Sequence, residues 1–209
     1  MLPLWIWLLL FLPAGSFNYW QVYAYFGVIL SCGFIAYLYF SKHDPALIER
    51  RMRTAETEQT QQIVIAFVLT SVVAGYVVSG LDKRFGWSDI SITINLVALL
   101  FVMAGYIFTA YVMKTNSYAS RVIEVEQGQE VIKTGPYAVV RHPMYAGASL
   151  MFIATPIALG SWWGIFPFVV VILLMSMRIL NEEDVLRKDL RGYADYCQEV
   201  RWRLIPGVW

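Results

Sequence analysis

The stretch Gly135-Pro136-Tyr137-Ala138-Val139-Val140-Arg141-His142-Pro143-Met144-Tyr145-Ala146-Gly147 decides how the chain is read. It sets turn-forming and ionisable residues directly against an apolar run, Pro143 to Leu159, which Gly160-Ser161 joins to a second, Trp162 to Leu180. Pro136 presets its own φ and pushes Gly135 out of helix, so the stretch opens on a turn. Pro143 holds His142 extended and starts a helix as a favourable first residue. The two apolar runs read as a tight helical hairpin. A second polar motif, Arg178-Ile179-Leu180-Asn181-Glu182-Glu183, closes it. Ionisable groups beside membrane segments are costly, so the two motifs together mark a polar pocket at a membrane face.

Composition supports the membrane reading. The 209 residues are 58% hydrophobic and 16% aromatic, with only 15% charged. A soluble domain carries about 25% charged residues. The net charge of +1 gives no case for a nucleic-acid partner, and nothing in the sequence sets an oligomeric state. Cys32 and Cys197 form neither a disulfide nor a metal-binding pattern and read as unpaired thiols.

Working outward, Leu2 to Leu12 is apolar and ends at Pro13-Ala14-Gly15-Ser16. It reads as a short first span rather than a cleaved signal, because no Lys or Arg precedes it. Tyr19 to Phe40 has the length to cross a bilayer, about 20 residues. Its terminal Trp20, Tyr23, Tyr37 and Tyr39 suit an interfacial belt. A polar segment, Ser41 to Gln62, separates it from a third span, Ile63 to Leu81. Ile90 to Met113 is a fourth, and Lys114 to Arg141 is the longest stretch outside the spans. The predicted fold is therefore all-α, a polytopic membrane helical bundle of five to six segments. It forms one domain over 1–209, with N-terminal spans in 1–113 and a functional core in 114–209.

Charge sets the topology. Lys42, Arg50, Arg51 and Arg53, then Lys114, Arg121, Lys133 and Arg141, then Arg178, Arg187, Lys188, Arg191, Arg201 and Arg203 fall in three segments separated by even numbers of crossings. Only Lys83 and Arg84 fall on the other side. The basic face is cytoplasmic by the positive-inside rule, and it carries both polar motifs.

Each motif residue has a plain alternative. Arg178 and Glu182, four apart, share a helix face and read either as site residues or as an intrahelical ion pair. Arg178 also reads as a snorkelling side chain. Arg141 reads as an ordinary positive-inside residue, His142 as a helix cap, and Glu182-Glu183-Asp184 as a solvated start to the tail. Tyr137 and Tyr145 offer flat faces for a nucleobase. A helix starting at Pro143 leaves first-turn N–H groups for an electron-rich ligand. Ala146, Gly147 and Ala148 read as close helix packing, or as a lateral opening.

The ordered residues Gly135-Pro136-Tyr137, Arg141-His142-Pro143, Tyr145 and Gly147, then Arg178, Glu182, Glu183 and Leu186, then Tyr193, Tyr196 and Pro206 resemble a known pattern. It is that of the isoprenylcysteine carboxyl methyltransferase-like integral membrane methyltransferases, including the related phospholipid N-methyltransferases. The resemblance covers the C-terminal part of the chain; before it only hydrophobic spans correspond. It implies S-adenosylmethionine as methyl donor, bound without a Rossmann fold, and a lipophilic or lipidated acceptor such as a prenylcysteine-type carboxylate. Carried over by position, the cofactor wall comprises Gln129, Glu130, Val131, Ile132, Tyr137, His142, Pro143, Met144, Tyr145 and Glu182. Gln129 stands where histidine is frequent. Arg178 faces the acceptor, with Arg141 a further catalytic candidate, and Tyr193 to Pro206 forms a cytoplasmic lid. The alternatives are a membrane reductase related to the sterol reductases, using a nicotinamide cofactor, and a non-catalytic scaffold. No metal is implied.

Overall fold

The apolar runs become helices because a chain in hydrocarbon must satisfy its backbone within itself. The computed structural model describes residues 2–52, 59–120, 122, 123, 125, 126 and 128–209. In order, the helices are α1 (Leu2–Ala14), α2 (Trp20–His43), α3 (Pro45–Met52), α4 (Gln59–Phe85), α5 (Ile92–Thr115), α6 (Pro143–Ala158), α7 (Ile165–Asp189) and α8 (Tyr193–Glu199). A short 3-10 turn, Gly135–Ala138, precedes α6. Helices α2, α4, α5 and α7 are long and apolar enough to cross a membrane, whereas α1 and α6 are apolar but shorter. Exposed Phe34, Ile35, Phe67, Phe101 and Leu173 cover their outward faces. Such a greasy exterior suits hydrocarbon rather than water.

The connection 41–62 holds more helix than its polarity implied. Helix α2 runs on to His43, and α3 follows almost at once. The Asp44 carboxylate accepts the Leu47 N–H at 3.0 Å, capping a helix whose first residue is Pro45. Helix α7 also passes its expected end at Leu180 and carries the whole second motif as helix to Asp189. Two of the basic residues assigned to the common face, Arg53 and Arg121, lie outside the described residues. Both cysteines are free thiols.

The core is built from α1, α2, α4, α5, α6 and α7, with Leu10, Tyr19, Val102, Phe168 and Val171 fully buried at its centre. Gly160, at φ +81°, reverses the chain between α6 and α7, but the two arms find their main partners elsewhere. Helix α6 lies on α5, and α7 lies on α4. Gly105 and Gly147 permit the first contact: a Cβ at Gly147 would stand 2.5 Å from Thr109 Oγ1, and one at Gly105 would stand 2.9 Å from the Gly147 carbonyl oxygen. Gly147 therefore serves helix packing, not an opening.

Polar groups collect at the two ends of the bundle. At one end buried Asp82 accepts the Ser88 N–H and hydroxyl, each at 2.7 Å, and the Ser161 hydroxyl at 2.5 Å. This ties the α4–α5 turn to the α6–α7 turn. The other end gathers the segment after α5, the start of α6, the end of α7 and α8 around a cleft.

Candidate active site

The cleft lies between the segment after α5, the start of α6, the end of α7, and α8. Its empty space, counting the open mouth, is about 860 Å³. Helix α7 contributes one ridge: Arg178, Glu182 and Leu186 all line it, as four-residue spacing on a helix dictates, and Leu190, just past the helix end, lines it too. The 3-10 turn and α6 bring Tyr137, His142, Met144 and Tyr145.

Arg178 and Glu182 meet through a third residue rather than as a bare ion pair. The Tyr145 hydroxyl donates to Glu182 Oε2 at 2.8 Å, and Arg178 Nε donates to that hydroxyl oxygen at 3.2 Å. Arg178 Nη1 continues to Gln61 Oε1 at 2.9 Å.

Glu183, next in sequence, does different work. Its Oε1 accepts Arg141 Nε at 2.7 Å and lies 3.3 Å from His142 Nε2; its Oε2 accepts Arg203 Nε at 3.2 Å and Arg187 Nη2 at 3.4 Å. Arg141 and Glu183 are both almost fully buried, so their pairing must be closely compensated. Arg141 also donates through Nη1 to the Cys197 and Val200 carbonyls. The backbone N–H groups of Arg141 and His142 donate to the Trp202 and Arg203 carbonyls, each at 2.9 Å. The tail is thus stitched onto the start of α6.

His142 occupies the cap position of α6, but its ring makes no capping bond. It sits instead between the two glutamates, with Nδ1 3.9 Å from Glu182 Oε1. The expected row of free first-turn N–H groups is largely closed, because those of Tyr145 and Ala146 both donate to the His142 carbonyl. The missing proline N–H and a tight first turn account for this.

The roof is α8. Tyr196 donates to the Tyr137 carbonyl at 2.7 Å. Tyr137 accepts the Asn116 amide at 3.1 Å. Burial, reinforced by the nearby Glu182 charge and partly offset by the Asn116 bond, pushes the Tyr137 phenol up to about 12. Burial likewise raises Tyr193 and Tyr196, so these cleft phenols remain neutral donors at ordinary pH. The floor segment is anchored from α3. Arg50 donates to Glu126 at 2.8 Å and to the Ser117 carbonyl at 2.9 Å, with its guanidinium 5.4 Å from the Tyr118 ring centre.

Of the site residues read from sequence, Gln129, Glu130, Val131, Ile132, Tyr137, Arg141, His142, Met144, Tyr145, Arg178 and Glu182 line this cleft. Pro143 does not; it is buried as the first residue of α6, where its ring shapes the turn. Sequence reasoning missed Asn116, Tyr118, Ala119, Ser120, Val122 and Ile123, which also line it, and Gln61 behind Arg178. The polar-aromatic change after α5 was a usable signal for the first group. Gln61 had none.

The cleft fits a nucleoside-bearing methyl donor. It offers aromatic faces at Tyr118, Tyr137 and Tyr145, apolar walls at Val122, Ile123, Val131 and Leu186, and carboxylates at Glu130 and Glu182. Tyr193 also lines this cleft, and its buried hydroxyl has no hydrogen-bond partner among the described residues. An unfilled buried donor is costly unless a ligand fills it.

Fold and site together define a polytopic α-helical membrane protein with a polar cleft at its basic end, lined in part by α8. Residues 93–191, which run from α5 through α7, match the phospholipid methyltransferase family (PEMT). The fold is similar to that of the eukaryotic intramembrane Ras methyltransferase ICMT (isoprenylcysteine carboxyl methyltransferase), with a TM-score of 0.52 at 18% identity over 88% of this chain and 68% of that one. The Delta(14)-sterol reductase TM7SF2 of Mus musculus is 27% identical over 128 residues, or 54% of this chain. This chain spans only 30% of that curated relative. The family match and the shared fold support the resemblance to the isoprenylcysteine carboxyl methyltransferase-like membrane proteins.

Proposed function

We propose that this protein transfers a methyl group from S-adenosylmethionine to a lipophilic or membrane-associated acceptor, on the cytoplasmic side of the membrane. The observation that carries the reading is the chain Glu182–Tyr145–Arg178, which sets an acid and a cation within one cleft 2.8 and 3.2 Å from a shared hydroxyl. The methyl donor occupies the side formed by Gln129, Glu130, Val131, Ile132, Tyr137, His142, Met144 and Tyr145, with Glu182 and Tyr193 as its hydrogen-bond partners. When bound, it supplies a methyl group already activated by a sulfonium.

The protein's task is then mostly placement, which supplies about 7–11 kcal/mol when two reactants are held in line. Arg178 faces the acceptor and suits an anionic head group such as a prenylcysteine-type carboxylate. Arg141, a catalytic candidate on sequence, is read here as a positioning residue, a reading that its bonds to Glu183 and to the Cys197 and Val200 carbonyls support. The tail from Tyr193 to Pro206 acts as a lid that excludes water, which strengthens the electrostatics beneath it. With an amine or thiol acceptor, Glu182 or His142 would take the proton.

Titration calorimetry of the full-length protein with S-adenosylmethionine and, separately, NADPH tests this directly. Binding of the first alone supports transfer. The sterol reductase relative favours a second reading, reduction with a nicotinamide cofactor, and binding of NADPH alone would establish that one. Labelled methyl transfer to an acceptor panel then identifies the product.

A further inference from the structure

Helices α2 and α5 leave a groove between them that shares no lining residue with the cleft. Its empty space, counting the open side, is about 1410 Å³. Val28, Ile35, Met103 and Ile107 give it apolar walls, and a Cβ built at Gly27, which also lines it, would meet no atom within 4 Å. A gap between two membrane spans does not stay empty. Its lining would forfeit dispersion contacts, and apolar walls do not hold water.

Length and charge say what fills it. Along α5 the groove runs from Met103 to Lys114, about 16 Å at 1.5 Å per residue. One leaflet contributes half of a hydrocarbon core about 30 Å thick, so the groove matches a single lipid chain. Its basic end carries the exposed Lys114, which makes no ion pair among the described residues and whose Nζ lies 5.6 Å from the Tyr39 ring centre. Lys42 and His43 close α2 at the same end. A second copy of the chain fits less well, because two copies inserted the same way would bring their Lys114 side chains to one depth, like charge against like.

We infer that this groove is a site for an anionic membrane lipid of the leaflet at the basic end: one hydrocarbon chain lies along Gly27 and Ala36, and the head-group phosphate pairs with Lys114. The inference rests on the membrane-spanning helices and not on the methyl-transfer reading. It reaches the cleft through one cluster. Phe40, Leu47 and Ala119 are buried together with Ala36 and Met144 packed on them; Ala36 and Phe40 line the groove, and Ala119 and Met144 line the cleft. The lipid chain therefore lies against the back of a cleft wall.

The experiment is native mass spectrometry of the full-length protein titrated with dioleoylphosphatidylglycerol or dioleoylphosphatidylcholine, with the thermal midpoint as the check on folding. Phosphatidylglycerol binds about fivefold more tightly, as one lysine near the surface gives. Lys114→Gln removes that preference and leaves phosphatidylcholine binding unchanged. Gly27→Leu, whose side chain enters the open space, weakens both lipids by about tenfold, the loss of roughly two methylene contacts.

Equal binding of the two lipids by the wild type, or a preference that survives Lys114→Gln, overturns the head-group pairing. Unchanged lipid binding in Gly27→Leu overturns the groove as the site. A dimer mass that Gly27→Leu abolishes would make a second copy the occupant, and displacement of phosphatidylglycerol by S-farnesylcysteine would make it the acceptor's own chain; either result overturns the assignment to a membrane lipid.

Discussion

The two ends of the bundle solve the same problem differently. At one end, Asp82 is buried and filled by three neutral donors, two from Ser88 and one from Ser161. At the other, Glu183 is filled by charged side chains, while its neighbour Glu182 faces a cleft that also holds Tyr193, whose buried hydroxyl has no hydrogen-bond partner among the described residues. A buried acid whose oxygens are all met by its own fold is a staple. Buried groups left incomplete beside a cleft are what a ligand completes. The contrast between Glu183 and Glu182 shows that the distinction does not follow sequence position, since adjacent residues fall on opposite sides of it.

Breaking the staple at the cleft end should cost most. Glu183→Ala strands Arg141 in a buried site, and losing one partner of a buried pair costs about 3–5 kcal/mol. The expected outcome is a large drop in the thermal midpoint and loss of the tail's attachment, read by protease sensitivity after residue 190. Retention of the wild-type midpoint would show that the knot contributes little.

Next in size are the cleft residues themselves, which should change function with little effect on stability. Arg178→Ala is expected to abolish turnover while sparing cofactor affinity, whereas Glu182→Ala should weaken S-adenosylmethionine binding by about ten- to a hundredfold, as loss of a charged hydrogen bond does. Calorimetry separates the two. Equal effects of both variants on cofactor affinity would erase the division of the cleft into donor and acceptor sides.

Asp82→Ala tests the opposite end. It should lower stability by about 1–3 kcal/mol, the penalty for leaving buried donors unmet, with cofactor affinity unchanged. Smaller still, Tyr193→Phe removes one hydroxyl and should weaken cofactor binding by about two- to tenfold. The neutral phenol at Tyr137 adds a pH signature. Its pKa is raised by folding to about 12, so its contribution to stability is whole below about pH 10 and fades as pH climbs toward 12. A Tyr137→Phe protein should show a shallower alkaline slope in thermal unfolding, the remainder belonging to phenols such as Tyr193 and Tyr196 that burial also raises.

Much of this was legible in the chain. Hydropathy and length yielded the long helices, and Pro136, Pro143 and Gly160 marked the turns that bring the motifs together. Four-residue spacing put Arg178, Glu182 and Leu186 on one ridge. Local chemistry misled where a tertiary partner intervened. His142 looked like a cap, but Glu183 draws its ring away; Gly147 had a possible role in an opening, but α5 fills the space beside it. Polarity in 41–62 concealed α3, which Asp44 caps and whose Arg50 anchors the segment beneath the cleft.

By itself the sequence determined a membrane-spanning all-α chain, the end of the bundle at which its chemistry lies, and the residue types that chemistry has available. Periodicity and composition suffice for that, since each helix satisfies its own backbone and exposes a readable face. Only the tertiary structure decided which of two neighbouring glutamates is a staple, that Tyr145 joins Arg178 to Glu182, and that Gln61 reaches the site. Those contacts link residues 33 to 117 positions apart. No local preference encodes such distances; they exist only once the helices have packed.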